Sequence, residues 1–170
     1  MQPAGPQGAG ATHLSRHLHR AGGFLRTPFV SLEARDGLAT VKGLLRKGFT
    51  GTLVLEHLEL ASASTVDELV ELLRAKPDVF WVSTTRGPLE PNVAAAVGVV
   101  QVTLPLLSAR AQDVAALADS LLSKLGTSLT VSASVLSALE RYGWPGNVAE
   151  LEAVLRRALA LGGLSLAHLP

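Results

Sequence analysis

Residues 5–12 read GPQGAGAT, placing glycines at Gly5, Gly8 and Gly10 and a hydroxyl at Thr12. The spacing is that of a phosphate-binding loop, G-x-x-x-x-G-K-[ST]. In such a loop backbone N–H groups wrap the phosphates, a lysine neutralises their charge and the hydroxyl serves Mg²⁺. Ala11 stands where the lysine belongs and supplies no charge. A neutral nest at a helix N-terminus attracts an anion only weakly, so tight ATP binding is not expected.

Two further places carry groups that can do chemistry. In TLVLEHLEL, Glu56 and His57 end an apolar run. There a carboxylate can reach a metal through water, and His57 reads either as a polar strand end or as a base. His13 and His17 are four apart on one helical face, as metal-binding histidines can be. No carboxylate or third histidine is near them in sequence, so a solvated face is the reading and no metal site is expected. Trp81 and Trp144 read as packing residues.

Bulk composition sets limits on these readings. Of 170 residues, 48% are hydrophobic and 17% charged, enough apolar material for a core. The net charge of +1 gives no strong pull toward nucleic acid or an anionic membrane. Without cysteine, disulfides and thiolate chemistry are excluded. No run reaches about 18 apolar residues, and the start lacks a hydrophobic segment, so a cytoplasmic protein without a membrane partner is expected.

The elements that must position these groups alternate. Leu14, Leu18 and Ala21 recur at helical spacing, with Gly22 and Gly23 as the stop. Residues 28–33 read as a strand, 52–55 as a buried strand, and 79–85 and 99–105 as two more. Thr65 and Glu68 have capping-box spacing ahead of Val66, Leu69, Val70 and Leu73. After Pro105 only helices follow. One spans 111–125 and closes at Gly126; a second is capped by Ser132, with Val135, Leu136 and Leu139 inward. Asn147 and Glu150 form a second capping-box pair and open a third, which carries Leu151, Val154, Leu155, Ala158 and Leu159 and stops at Gly162 and Gly163. The pattern predicts a parallel α/β part over 1–104 and an all-α part over 105–170.

RYGWPGNVAELEAVLRRAL at 141–159 resembles the lid signature WPGNVREL of the sigma-54 activators, a family of AAA+ ATPases. LPLLSAR at 104–110 is similar to that family's LPPLRER, TLVLEHLEL to its Walker B strand TLFLDEI-x-EL, and VFWVSTTRGPL to its sensor strand. The resemblance implies an AAA+ P-loop-type parallel sheet followed by a small helical lid. Because only four residues precede Gly5, the first strand of that sheet is expected to be missing.

Matched residue by residue, the family's chemistry is largely absent. Ala11 replaces the Walker A lysine, Glu56 and His57 the Walker B acidic pair, Arg86 the sensor asparagine and Ala149 the lid arginine. The stretch NVAAAVGVVQV, where the arginine fingers belong, has no basic residue. About 20 residues separate Val30 from Thr52, too few for a helix plus the sigma-contacting loop, and KGFTG reads as a turn entering the next strand. Gly5, Gly8, Gly10, Ala11, Thr12 and Glu56 therefore form a vestigial nucleotide pocket without catalytic residues. The expected function is that of an inactive AAA+ domain acting by protein contact, with an active AAA+ regulator or itself as partner. The family's DNA-binding segment follows the lid, so direct DNA binding is not expected. No cofactor is expected, and ATP with Mg²⁺ only if the loop still binds. The alternative is a residual ATP-binding or slow ATPase domain of a sigma-54-dependent regulator.

Overall fold

A computed structural model describes residues 2–4, 8–97, 100–127 and 129–165, with the side chains of 2–4 and 73 left out. The chain divides into two compact units: Ala11–Leu104 together with Met1–Gly5, and Pro105–Pro170 together with Pro6–Gly10.

The first unit runs β1 (Gln2–Ala4), α1 (Ala11–Ala21), β2 (Phe29–Glu33), α2 (Leu38–Arg46), β3 (Gly51–Glu56), α3 (Ala63–Ala75), β4 (Val79–Ser83), α4 (Pro91–Val97) and β5 (Gln101–Thr103). A short 3₁₀ turn at Leu58–Leu60 lies between β3 and α3. β3 is the middle of a parallel sheet ordered β2-β3-β4, and it is buried from Gly51 to Leu55. Its alternating side chains serve both faces. Leu53 and Leu55 pack with Val41 and Leu45 of α2 and Leu69 of α3. Thr52, facing the other way, is fully buried and takes the ring of His19 from α1, with 2.8 Å between Oγ1 and Nδ1.

Several expectations need correction here. The first strand is not missing: β1 pairs in parallel with β5, Gln2 beside Gln101 and Ala4 beside Thr103. Three residues centred on a proline have no alternation to betray a strand, and Pro3 has no N–H to give the ladder. On α1 the buried residues are Ser15 and His19, while Leu14 and Leu18 are half-buried and Ala21 is exposed. Ser15 Oγ satisfies itself on Ala11 O and His19 on Thr52, which lets polar residues face inward. α3 is capped by Ser62, whose Oγ accepts from Thr65 N at 3.2 Å, so Thr65 lies inside the helix. Glu68 instead pairs with Lys42 of α2. Val99 lies outside the described residues.

The 47–51 segment is a turn into β3, with Gly48 at φ +74°. Gly51 approaches the backbone so closely that a Cβ there would stand 2.4 Å from Pro28 O.

The second unit packs α5 (Val114–Lys124), α6 (Ala133–Arg141) and α7 (Asn147–Ala160) behind a 3₁₀ segment, Leu107–Asp113. The helix expected from 111 thus begins at Val114. Gly126 closes α5 at φ +74°, Ser132 Oγ caps α6 by accepting from Val135 N, and Gly163 N donates to Ala158 O at the end of α7. Trp144 sits at the centre, 1% exposed, its indole donating to Leu139 O at 2.7 Å.

Asn147 is not the helix cap its spacing suggests. It is fully buried at φ +53°, and its Oδ1 accepts from Leu107 N at 2.8 Å. Asparagine tolerates the left-handed region and has the acceptor, two demands few residues meet together. Asn147→Ala is expected to destabilise the chain by about 1–3 kcal/mol through the orphaned Leu107 amide. In denaturant unfolding Asn147→Gly should relieve the backbone strain yet leave most of that loss in place.

Candidate functional site

The groups expected to do chemistry fall in both units. In the first they gather at the carboxyl ends of β2, β3 and β4, where open α/β sheets bind ligands. β3 ends at Glu56, and the carboxylate accepts two hydroxyls on one oxygen, Thr12 Oγ1 at 3.1 Å and Ser31 Oγ at 2.5 Å. Thr12 arrives from the first turn of α1, and Ser31 from β2, paired in register with Val54. Ala11 opens α1 and is half-buried, with no acidic residue beside it in that turn.

His57 reverses the chain after β3. It is a non-glycine residue in the left-handed region, φ 57° and ψ 53°, and its amide reaches Thr84 Oγ1 at 3.3 Å. The backbone is anchored again where Leu58 N donates to Thr84 O at 3.0 Å. Its ring meets Arg86, with Nη2 to Nε2 at 3.2 Å, while Nδ1 lies 3.4 Å from Glu59 Oε1. An arginine only donates, so Nε2 is the acceptor in that contact. Arg86, at the sensor position, is exposed.

In the second unit the glycine turn is held by helical-unit atoms. Gly8 adopts φ +74°, and its carbonyl accepts from Ala149 N at 3.3 Å. That amide is one of the first-turn donors of α7 that no intrahelical carbonyl can reach. A Cβ on Gly8 would stand 2.4 Å from Gly146 O and 2.9 Å from the Ala149 Cβ. Ala9 is buried, and its carbonyl accepts from Arg110 Nη2 at 3.0 Å. Gly10 has φ +101° with open space where a Cβ would go. Gly5 lies outside the described residues.

His13 and His17 are both exposed on α1, and among the described residues no third ligand joins them. Trp81 lies half-buried against the sheet core. The residues that sequence reasoning missed are Ser31 and Glu33, the last apolar-patterned stretch before Ala34. The signal was available: parallel strands that end together place Glu33 beside Glu56.

The lid motif has its own carboxylate site. Glu150 accepts from Gly146 N at 2.7 Å through Oε2 and from the Tyr142 hydroxyl at 3.1 Å through Oε1.

Residues 108–170 match the family model of the AAA+ ATPase lid domain. The Nif-specific regulatory protein of Enterobacter agglomerans is 33% identical over 146 residues, covering 71% of this chain and 28% of that protein. The nitrogen assimilation regulatory protein NtrX of Azorhizobium caulinodans is 24% identical, over 94% of this chain and 44% of its own. Among solved structures, NtrX from Brucella abortus in complex with ATP superposes with a TM-score of 0.83 at 19% identity, covering 99% of this chain and 48% of that one. AMPPCP-bound DnaA from Aquifex aeolicus gives 0.64 at 18% identity, over 95% and 56%. These structural likenesses establish the fold. The chain spans between about a quarter and a half of the length of the curated relatives it matches. Among the described residues no helix is long and apolar enough to cross a membrane.

Tyr142 is the only tyrosine, so its titration is directly visible. Partial burial, then the Glu150 carboxylate it donates to, raise its pKa above 10.0. The folded state favours the neutral phenol, so this contribution is fully present below the unfolded pKa and is lost as pH rises through the higher folded one. Phenolate absorbance should appear with a midpoint above 10.0 in the folded chain, and Glu150→Gln should move it back toward that value.

Proposed function

Since the chain belongs to the AAA+ domain family of the sigma-54-type transcriptional regulators, we propose that it is a catalytically inactive member acting in transcription regulation by protein–protein contact. The observation that carries this reading is Ala11 at the head of α1, which brings no charge where a P-loop lysine meets phosphate; beside it Thr12 Oγ1 donates to Glu56 Oε1 at 3.1 Å. In an ATP-hydrolysing P-loop site the hydroxyl and the strand-end acid both serve the Mg²⁺ of the nucleotide. In this chain Glu56 Oε1 accepts from Thr12 and from a second neutral donor, Ser31.

The other matched positions support the same conclusion. His57, at the position of the water-activating glutamate, makes its contact with Arg86. The partner in this reading is a protein, an active AAA+ regulator or a second copy of the chain. The net charge of +1 gives DNA and membranes little to attract.

The second reading is a residual ATP-binding or slow ATPase domain using Gly8, Gly10, Thr12 and Glu56 with Mg²⁺. It is favoured by the positive φ that Gly8 and Gly10 retain. Fluorescent-nucleotide titration in the presence of Mg²⁺ separates the two. The chain should show no saturable binding, and micromolar Mg-ATP affinity would overturn the inactive reading. Ala11→Lys measures what remains of the pocket: a gain of roughly tenfold, ~1.4 kcal/mol, is expected from the restored charge alone.

A further inference from the structure

The carboxyl ends of β2 and β3 hold more ligand atoms than the proposed function uses. Glu33 and Glu56 are register partners, and their carboxylates lie with a ring nitrogen of His57 inside a group whose atoms are all within 4.8 Å of one another. Two carboxylates that close repel unless a proton or a cation stands between them. Thr12 and Ser31 both bond Oε1 of Glu56, which fixes the carboxylate from one side.

The turn after β3 adds a separate sign. His57 Nδ1 and Glu59 Oε2 are buried atoms without a hydrogen-bond partner among the described residues. Nδ1 has only the Glu59 carboxylate at 3.4 Å beside it, and a buried polar atom without a hydrogen bond calls for an explanation, an ion or a water among them. The imidazole makes the group more than a set of surface acids, because it is a good ligand for transition metals and a poor one for Mg²⁺.

We propose that Glu33, Glu56 and His57 form a site for a divalent transition-metal ion of the Zn²⁺ type, bound without any nucleotide. One imidazole and two carboxylates make a three-ligand set that leaves the fourth zinc position to water. The hydroxyls of Thr12 and Ser31 orient Glu56, as hydrogen bonds behind a ligand do in known metal sites. The imidazole ligates through its unprotonated nitrogen, the one that accepts from Arg86. The competing cation is Arg86, which is exposed and turns away from the ring when the metal enters. The bound ion ties the end of β2 to the turn that follows β3.

The test is calorimetric titration of the chelator-treated full chain with Zn²⁺, nucleotide absent. Failure here is thus separate from failure of the inactive-domain reading. One equivalent should bind saturably and more tightly than Mg²⁺. Glu33→Gln and His57→Gln should each weaken it at least about tenfold, and Arg86→Ala should tighten it. The double variant His13→Ala/His17→Ala should bind as the unaltered chain does. Zn²⁺ should also raise the Tm of the unaltered chain and not that of Glu33→Gln. Glu33 is exposed, so this variant tests the site without disturbing a core. Absence of saturable Zn²⁺ binding, equal affinity for Mg²⁺, or loss of binding only in the His13/His17 variant would overturn the proposal.

Discussion

The parallel register of β2 on β3 sets Glu33 opposite Glu56, and the chemistry of the sheet's carboxyl end follows from that pairing. β3 is the middle strand and stays apolar and buried until its last residue. A carboxylate there must find donors where the sheet opens. It finds two hydroxyls, one from α1 and one from β2. His57 then turns the chain in a left-handed conformation that brings its ring to Arg86 and Glu59. Glu56 and His57 are thus each met by local contacts.

The helical unit accounts for the glycine turn in a different way. A side chain on Gly8 would collide with Gly146 O, and the Gly8 carbonyl caps a first-turn amide of α7. Arg110 holds the next carbonyl. These are packing and capping requirements, present whether or not a phosphate is ever bound. They supply a physical reason for a glycine at position 8 in a loop that lacks its lysine. The same unit depends on Asn147 for a buried acceptor and on Trp144 for its centre, which explains the density of unusual backbone angles in WPGN: both Trp144 and Asn147 have positive φ.

Much of the fold was legible because apolar periodicity and end signals are local. The core faces of α6 and α7 were legible in Val135, Leu139, Leu151, Val154 and Leu155, whereas Leu136, expected inward, is only half-buried; Ser132, Gly126 and Gly163 bound their helices as their chemistry dictates. What failed was local as well, but it had competitors. Ser62 and Thr65 are both capping residues, and only the course of the chain decides between them. Leu14 and Leu18 look like the core face of α1 until Thr52 offers His19 a buried partner. β1 has three residues and a proline, and only β5 makes it a strand.

By itself the sequence determined the alternation of strands and helices, the change to helices after Pro105, the absence of a lysine at position 11 and the family resemblance, because each is written in neighbouring residues. Tertiary structure alone decided where the polar groups end. That Thr12 and Ser31 meet at Glu56, that Glu33 stands beside it, and that Asn147 reaches Leu107 across 40 residues depend on strand register and helix packing. Hydrogen bonds and like charges act over a few ångströms of space, and distance along the chain carries little information about them.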